Sequence, residues 1–240
     1  MRSIAAYAFL TLYTLVLGPP VLLLARLLSS ERLIIEAGAW GTSVALWLAG
    51  IRYRLEGAAR MPTDRGAVYC VNHTSYMDLV SFMALYPPCP RLRVLYKAEF
   101  SRVPLLGRIF RMAGCIPIER GMQELAFQAV DESVQALQAG VSVLAAPEGT
   151  RSKDGSLAPF KKGVFVMAIR AQVPVVPVAI HDARQTLPRG AWRIRPGTIT
   201  LTVGEAVETT GLTYDDRHRL IDDVRGQIAA LLTARSTREP

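Results

Sequence analysis

The chain has 240 residues, half of them hydrophobic, and carries a formal charge of +8 with a pI near 9.8. Its mean hydropathy of +0.23 is high for a freely soluble protein, and its length fits one α/β domain with an appendage. The positive charge predicts an anionic partner, and nucleic acid, an anionic membrane surface and a phosphorylated substrate all satisfy that requirement. Nucleic acid is excluded as the expected partner because aromatic residues make up only 8% of the chain, basic residues are dispersed and no nucleic-acid-binding motif occurs.

Residues 1–51 are predicted to form a hydrophobic two-helix hairpin that associates with a membrane. Residues 4–25 contain no charged side chain and are long enough to span a bilayer, but Gly18-Pro19-Pro20 is expected to interrupt a helix. The second uncharged run, residues 37–51, is shorter than the ~20 residues that a spanning helix needs. A hairpin that enters one leaflet, with arginines at the headgroup level, therefore fits better than two spans. A transmembrane anchor is the alternative, and a cleaved signal peptide is less favoured because no small-residue cleavage site follows.

Residues 52–240 are predicted to form a second domain in which strands and helices alternate. Apolar runs typical of strands occupy residues 67–71, 92–96, 114–118, 141–145, 173–180 and 198–203. Segments with helical spacing occupy residues 76–86, 103–112, 121–139, 161–171 and 214–234. This alternation indicates an α/β fold, a mixed sheet flanked by helices. Ligands of such sheets bind in the turns at the carboxyl ends of the strands.

The run from Asn72 to Asp78 follows a predicted strand and contains one of only three histidines. Thr74 or Ser75 is suited to cap the next helix, which places His73 in the turn before that helix. From one turn inside the helix, Asp78 can fold back to the imidazole. A carboxylate on one ring nitrogen fixes the tautomer and leaves the other nitrogen free to accept a proton. The run therefore predicts a general base with its orienting acid, and the alternative is a surface histidine beside an unrelated aspartate.

Three further stretches follow or lie within predicted strands, at residues 114–120, 146–152 and 173–178. The first two supply Arg120 and Arg151, whose planar guanidinium groups suit a phosphate monoester because two parallel charge-assisted bonds form at once. Taken singly, the three stretches have ordinary alternatives: a solvated charge, a simple turn, and a core or edge strand. Their order at the ends of successive strands predicts one shared site.

The stretch at residues 146–152 also contains a glycine and a glutamate with expected roles. Gly149 permits close approach of the backbone to a ligand. Glu148 is expected either to hold Arg151 in its working rotamer or to bond a substrate hydroxyl.

In this order, the four stretches resemble the four sequence blocks of the glycerolipid acyltransferase family, and specifically its 1-acylglycerol-3-phosphate acyltransferase branch. The resemblance runs from about Tyr53 to Val207, and the hydrophobic front end is also typical of that branch. The first and third blocks are specific when they occur together, the second is moderately specific and the fourth is weak. The third block begins with Ala146 where the family more often has phenylalanine, a change of one packing side chain that leaves the rest of the block intact.

The resemblance implies transfer of a fatty acyl group from acyl-CoA or acyl carrier protein to the 2-hydroxyl of lysophosphatidic acid, which gives phosphatidic acid. It implies that His73 takes the hydroxyl proton and that Asp78 orients and stabilises the imidazolium, roles that agree with the chemistry of the pair. Lys97 is implied to lie near the acyl carbonyl and to stabilise the oxyanion, and the alternative is a solvated lysine at a strand end. No G-x-S-x-G nucleophile elbow occurs, so no enzyme nucleophile is expected.

The same resemblance implies the substrate-binding residues. Arg120 and Arg151 would clamp the substrate phosphate, while Glu148, Gly149 and Thr150 would shape the pocket around it. Neither a metal nor an organic cofactor is expected, because the acyl donor is itself a substrate.

The expected partners are membrane lipid, lysophosphatidic acid and the acyl donor, without nucleic acid. The expected location is the cytoplasmic face of the inner (plasma) membrane. Two alternatives stay open. One is an acyltransferase with another acceptor, glycerol-3-phosphate or a lyso-aminolipid, and the other is a non-catalytic membrane protein that binds lipid.

Overall fold

Short valine-rich runs form the middle of a seven-stranded sheet. The strands are β1 (Ile51–Glu56), β2 (Val68–Val71), β3 (Leu92–Lys97), β4 (Ile116–Ile118), β5 (Ser142–Ala145), β6 (Val175–His181) and β7 (Gly197–Val203). Every residue of β2, β5 and β6 is buried. Such continuous burial is typical of strands that are covered by helices on both faces.

The computed structural model describes residues 1–118 and 123–236, and helices cover both faces of the sheet within these residues. They are α1 (Arg2–Leu27), α2 (Glu31–Ala49), α3 (Val80–Leu85), α4 (Pro104–Met112), α5 (Gln123–Gln138), α6 (Gly163–Ala171), α7 (Ala183–Thr186) and α8 (Arg217–Ser236). Side chains of α2 and α3 pack in the core on one face of the sheet, whereas α5, α6 and α8 pack in the core on the other.

The strand order is β1-β7-β6-β2-β5-β3-β4, and the sheet is mixed. Strands β6, β2, β5, β3 and β4 are mutually parallel, while β7 is antiparallel to β6 and β1 is parallel to β7. The carboxyl ends of the five parallel strands therefore share one edge. That edge carries the turns after β2, β3 and β5, in which the sequence places most of its candidate site, whereas residues 119–122 after β4 lie outside the described residues.

The predicted fold class, a mixed α/β sheet flanked by helices, is confirmed. All six predicted strands are present, with bounds that differ from the expected ones by at most two residues. The additional strand, β1, is not predicted because its central side chains, Arg52, Tyr53 and Arg54, are exposed and mostly charged. It lies at the edge of the sheet and pairs only with β7, so tertiary pairing decides its conformation.

The predicted two-helix hairpin is present as α1 and α2, but the expected break at Pro19 and Pro20 is wrong. Both prolines lie inside α1, which continues from Arg2 to Leu27. Each proline removes a helical N–H at a cost of ~3 kcal/mol in a helix interior, so contacts on both sides must hold the helix together. Tyr13 Oη donates to the Ala37 carbonyl of α2 at 2.8 Å before the prolines, and Ala25 is buried in a cluster with α2 after them. The division of the hairpin from residues 52–240 as a separate domain stays a prediction.

Helix α1 contacts the body of the protein at both ends and near its middle. Ser3 Oγ accepts a hydrogen bond from Ile194 N at 2.9 Å. Gly18 faces the side chain of Leu105 in α4, and Ala25 packs with Ala113 just beyond α4. The helix has 26 residues and is thus ~39 Å long. The body therefore supports α1 along its length, while many of its leucines face outward.

The close crossing of α1 and α2 predicts opposite effects of alanine at two glycines of α2. A Cβ at Gly41 would overlap the Tyr13 ring, which also stacks with Phe9 and contacts Trp40, whereas a Cβ at Gly38 would meet nothing within 4 Å. Gly38→Ala is expected to raise the free energy of unfolding by ~0.5–1 kcal/mol through helix propensity. Gly41→Ala is expected to lower it by ~1–3 kcal/mol because the aromatic cluster must move. Denaturation of both variants in one detergent measures the difference, and equal effects would contradict the packing argument.

Candidate active site

His73 lies in the turn that leaves β2, ahead of a short 3₁₀ turn (Tyr76–Leu79) that leads into α3. Ser75 caps this turn, because its Oγ accepts a hydrogen bond from Met77 N at 3.0 Å. The Asp78 carboxylate completes a capping box by accepting from Ser75 N at 2.9 Å. The local sequence thus places Asp78 one turn beyond His73 and directs its carboxylate back toward the turn.

The imidazole of His73 contacts the carboxylate of Asp78 as the sequence predicts. Nδ1 lies 2.7 Å from Asp78 Oδ2, and the same oxygen accepts from Thr74 N at 2.7 Å and from Ser75 N. With the carboxylate as acceptor, Nδ1 carries the ring hydrogen and Nε2 presents a lone pair. Nε2 has no hydrogen-bond partner among the main-chain and side-chain atoms that the structure describes, and the His73 side chain is 28% exposed. The catalytic role of this pair stays a prediction.

The turn after β5 holds the backbone of His73 on both sides. His73 N donates to Glu148 Oε1 at 2.7 Å, and His73 O accepts from Ser152 N at 2.7 Å. Strand β5 pairs with β2 in the sheet, so the two turns leave the same edge side by side. The first and third stretches predicted from the sequence are therefore joined through the main chain of the histidine.

Glu148 is a buried carboxylate that binds backbone amides. Its second oxygen, Oε2, accepts from Ala158 N at 3.1 Å, and the residue is only 3% exposed. Burial raises the pKa of Glu148 above its usual range, while the amides of His73 and Ala158 act in the opposite direction. The expected contact with Arg151 is not made, since both oxygens bind main-chain donors instead.

Gly149 and Thr150 follow Glu148 in this turn, and Lys161 approaches Gly149. Gly149 adopts a left-handed conformation, with φ of 70°, and a Cβ there would lie 2.9 Å from Lys161 Cε. Glycine is thus required both by the backbone and by the approach of the lysine. Thr150, the next residue, is exposed.

Arg151 lies over the ring of Tyr76, which belongs to the His73 turn. The guanidinium carbon is 3.6 Å from the ring centroid, a cation–π contact between the two turns. Tyr76 itself is 58% exposed. Arg151 Nη1 is buried and has no hydrogen-bond partner among the residues described. A buried guanidinium donor without an acceptor is costly, and a guanidinium binds an anionic oxygen more strongly than a neutral one.

Lys97 is less closely tied to the His73 and Arg151 turns than the residues above. Lys97 ends β3, two strands from β2 in the sheet, and its Nζ forms an ion pair with Glu99 Oε1 at 2.6 Å. Its side chain is 42% exposed. Arg120 lies outside the described residues, so its place in the site stays a prediction.

The sequence assigned no role to Tyr76 or Ser152, although each lies inside one of the stretches predicted to form the site. In the structure both residues contact the other turn. Tyr76 and Ser152 each meet a partner in the other turn, 75 or 79 residues away, and no spacing rule reports such a pair. Asn72 exchanges two hydrogen bonds with the backbone of Ile180 and so ties the His73 turn to β6.

Comparison with known proteins agrees with this architecture. The family model described as Acyltransferase matches residues 52–181. The 1-acyl-sn-glycerol-3-phosphate acyltransferase of Limnanthes douglasii is 33% identical over 185 residues, which cover 75% of this chain and 64% of the plant protein. The human 1-acyl-sn-glycerol-3-phosphate acyltransferase alpha is 34% identical over 192 residues, covering 80% of this chain and 67% of the human one.

A solved structure has the same fold. The 1-acyl-sn-glycerophosphate acyltransferase of Thermotoga maritima superposes with a TM-score of 0.77, covering 96% of this chain and 94% of that chain. Its sequence identity is 24%, so this similarity speaks for the fold alone.

The fold and the site together define an α/β protein with a histidine–aspartate pair and an arginine at one sheet edge. The chain belongs to the acyltransferase family, since the family model covers more than half of it. The resemblance to 1-acylglycerol-3-phosphate acyltransferases is confirmed by the names of the relatives. The chain spans 64% of the length of the Limnanthes relative, so the activity of the whole protein is a matter for proposal.

The three hydrogen bonds on Asp78 Oδ2 predict that two substitutions will affect folding differently. Asp78→Asn can keep an acceptor at the Oδ2 position, because Oδ1 has no hydrogen-bond partner among the described residues and its place can take the amide nitrogen. Asp78→Ala leaves the amides of Thr74 and Ser75 buried without an acceptor, at ~1–3 kcal/mol for each donor. Urea unfolding in detergent is expected to show a clearly larger loss for the alanine variant. Equal losses would mean that the negative charge, rather than the acceptor, stabilises the turn.

Proposed function

We propose that this chain transfers a fatty acyl group from acyl-CoA or acyl carrier protein to the 2-hydroxyl of 1-acylglycerol-3-phosphate, forming phosphatidic acid. The observation that carries the proposal is the His73 imidazole, with Nδ1 held by Asp78 at 2.7 Å and Nε2 left without a partner among the described residues. An arginine with a buried donor in need of an acceptor lies on the adjoining turn. The relatives that carry the name of this activity support the choice of acceptor.

In the proposed reaction, His73 acts as a general base and then as a general acid. Nε2 takes the proton of the 2-hydroxyl as the hydroxyl oxygen attacks the thioester carbonyl carbon. The tetrahedral intermediate then collapses, the C–S bond breaks, and the imidazolium returns the proton to the departing thiolate. A positioned base of this kind contributes ~10²–10⁴ in rate. The thioester is already activated, so we expect neither an enzyme nucleophile nor a cofactor.

Asp78 would hold the ring in the correct tautomer and stabilise its positive charge. Its carboxylate is 6% exposed, so its interaction with the imidazolium is weakly screened by solvent. The amides of Thr74 and Ser75 fix the position of that oxygen, so the carboxylate need not reorganise as the ring gains its charge. In this scheme Asp78 orients and stabilises but does not take the proton.

Arg151 would bind the phosphate of the acceptor. The Tyr76 ring would support one face of the guanidinium while its edge donors bind the phosphate oxygens, which requires the buried Nη1 to become accessible when the acceptor binds. Thr150 is exposed next to Arg151 in sequence. Lys161, which precedes α6, lies against Gly149 of the same turn as Thr150. These groups would provide donors and positive charge around the bound phosphate. We expect Arg120 to complete this clamp.

Lys97 would stabilise the oxyanion of the tetrahedral intermediate. Its Nζ pairs with Glu99, so this role requires the lysine to exchange that carboxylate for the developing negative charge. Its position at the carboxyl end of β3 puts it on the same sheet edge as His73.

Helix α1 suggests association with a membrane, since it is the one helix of the described residues that is long and apolar enough to cross a bilayer. We infer that it lies in the membrane interface and does not span the bilayer. The body of the protein contacts α1 from Ser3 to Ala25, and a spanning orientation would carry that body into the hydrocarbon. The cytoplasmic face of the inner (plasma) membrane is the location we propose.

Replacement of His73 tests the proposed chemistry directly. His73→Ala removes the base but keeps the backbone N–H and C=O that bind Glu148 and Ser152, so the fold should be retained. Turnover of lysophosphatidic acid is expected to fall by at least ~10²–10⁴. His218→Ala, at an exposed position on α8, is the matched control and should keep full activity. The purified proteins are assayed in detergent with one labelled acyl-CoA, and retained turnover in folded His73→Ala would falsify the general-base role.

The same assay with a panel of acceptors tests the substrate. Lysophosphatidic acid, glycerol-3-phosphate and a lyso-aminolipid are offered with one acyl-CoA, and the products are identified by mass. We expect the highest kcat/KM for lysophosphatidic acid. A higher value for the aminolipid would overturn the phosphate assignment, and a higher value for glycerol-3-phosphate would change the acceptor while keeping the phosphate.

The contact between Tyr76 and Arg151 predicts how substitutions will affect the KM for a phosphorylated acceptor. Arg151→Gln is expected to raise KM by ~10–100-fold, because a charge-assisted hydrogen bond contributes ~1.5–3 kcal/mol. Tyr76→Phe keeps the ring and should change KM little, whereas Tyr76→Leu should raise it by ~2–30-fold. In the Arg151→Gln background, Tyr76→Leu should have little further effect. Equal losses in the phenylalanine and leucine variants would show that the hydroxyl, and not the ring, is what matters.

A further inference from the structure

The segment between α7 and β7, residues 187–196, contacts both the candidate site and helix α1. This segment is called the strap below. Its first part contacts both turns of the site. Ser75 Oγ donates to the Leu187 carbonyl at 2.7 Å, and Arg189 Nη1 donates to the Arg151 carbonyl at 2.9 Å. The strap therefore touches the backbone of the arginine proposed to bind phosphate.

The second part of the strap contacts the amino-terminal end of α1. Tyr7 Oη donates to the Trp192 carbonyl at 3.0 Å. Ser3 Oγ accepts from Ile194 N at 2.9 Å and donates to Ile194 O at 3.3 Å. Ile194 is buried at this junction. One continuous segment of ten residues thus runs from the active-site turns to the proposed membrane helix.

The residues around Ile194 point outward and have the chemistry of a membrane interface. Trp192 is 64% exposed, although indole is a costly side chain to leave in water. Arg193 and Arg195 are also exposed, and neither has an ion-pair partner among the described residues. The guanidinium of Arg2 borders Gly50 and Pro196 at the end of the strap. Tryptophan and arginine are the residues that the headgroup region of a bilayer favours.

We propose that the strap is a second membrane contact, in which Trp192 enters the interface and Arg193 and Arg195 bind anionic lipid headgroups. Its occupant is an anionic bilayer because the exposed apolar side chains of α1, beginning with Ile4 and Tyr7, continue the same surface. The net charge of +8 complements such a surface. This inference rests on the membrane association of α1 proposed above. Its consequence is that the membrane contacts the segment that holds the Arg151 turn.

Fluorescence of Trp192 tests the contact in the full-length chain. The chain has three tryptophans, so Trp40→Phe combined with Trp47→Phe leaves Trp192 as the single reporter. Vesicles of phosphatidylcholine and phosphatidylglycerol, with and without brominated acyl chains, are added to this variant. We expect a blue shift of the emission and quenching by the brominated lipid. The matched control is Tyr214→Trp in a chain whose three tryptophans are phenylalanine, because Tyr214 is 50% exposed and precedes α8, which packs on the opposite face of the sheet.

The outcomes separate this inference from the proposal on which it rests. Protein that sediments with vesicles while Trp192 stays accessible to iodide would overturn the strap contact and leave the α1 association standing. Protein that does not sediment with vesicles at all would overturn the membrane association itself. Shielding of Trp192 from iodide that appears only in a dimeric fraction of the detergent-solubilised chain, and not in the monomer, would point to a second copy of the chain as the occupant and would overturn the proposal.

Charge substitutions test the role of the two arginines. Arg193→Gln with Arg195→Gln is expected to weaken binding to anionic vesicles by up to ~30-fold, the equivalent of ~1 kcal/mol for each residue near the surface. Binding to neutral phosphatidylcholine vesicles should not change. The control pair, Arg65→Gln with Arg219→Gln, removes the same charge from exposed positions elsewhere. An equal loss in the control pair would show that total charge, and not the strap, directs binding.

Discussion

The candidate site depends on the hydrogen bonds that hold the backbone of His73. A histidine that follows a strand would ordinarily have several rotamers and a mobile main chain, and Asp78 constrains only its ring and the amides of the two residues after it. Glu148 accepts from the histidine N–H and Ser152 donates to its carbonyl, so the turn after β5 fixes the position from which the imidazole projects. Because β2 and β5 are neighbouring parallel strands, the two turns meet without any long connecting structure. The sheet order is therefore a requirement of the site.

The buried carboxylate of Glu148 is the costly part of this arrangement. Removing a carboxylate from water is unfavourable, as the raised pKa of Glu148 reflects, and the cost is offset only while both oxygens keep their amide donors. A buried acid that binds the main chain of two loops resists small displacements of either loop. The stacking of Arg151 on Tyr76 adds a second link between the same two turns, on their solvent side. His73 and Arg151 are thus linked through the same two turns, an arrangement that would suit reaction between two bound substrates.

The placement of α1 determines how the sheet edge with His73 would face a membrane. The helix lies along the body and is held at its start by Ser3, near its middle by Gly18 and toward its end by Ala25. A helix held in this way presents its outward leucines over its whole length, which suits the interface better than a crossing of the bilayer. An acceptor that resides in the membrane would then reach the sheet edge from one side, with its phosphate in the headgroup layer. In that orientation the strap would lie between the headgroup layer and the Arg151 turn.

Features of this protein that depend on near neighbours in sequence followed from the sequence itself. The all-buried strands β2, β5 and β6, the serine cap and the fold-back of Asp78 onto His73 each involve residues within a few positions, where propensity and hydrogen-bonding rules apply. The apolar character of α1 was equally plain.

Only the tertiary structure decided what distant residues do to one another. Glu148 binds a main-chain amide 75 residues away instead of the nearby arginine, because the sheet brings that amide within reach and burial removes competing water. The continuity of α1 through Pro19 and Pro20, and the pairing of the charged strand β1, likewise depend on partners that the local pattern does not reveal. Local sequence sets the helix or strand propensity of each segment. Where that propensity and long-range packing conflict, the free energy of packing is larger and decides the structure.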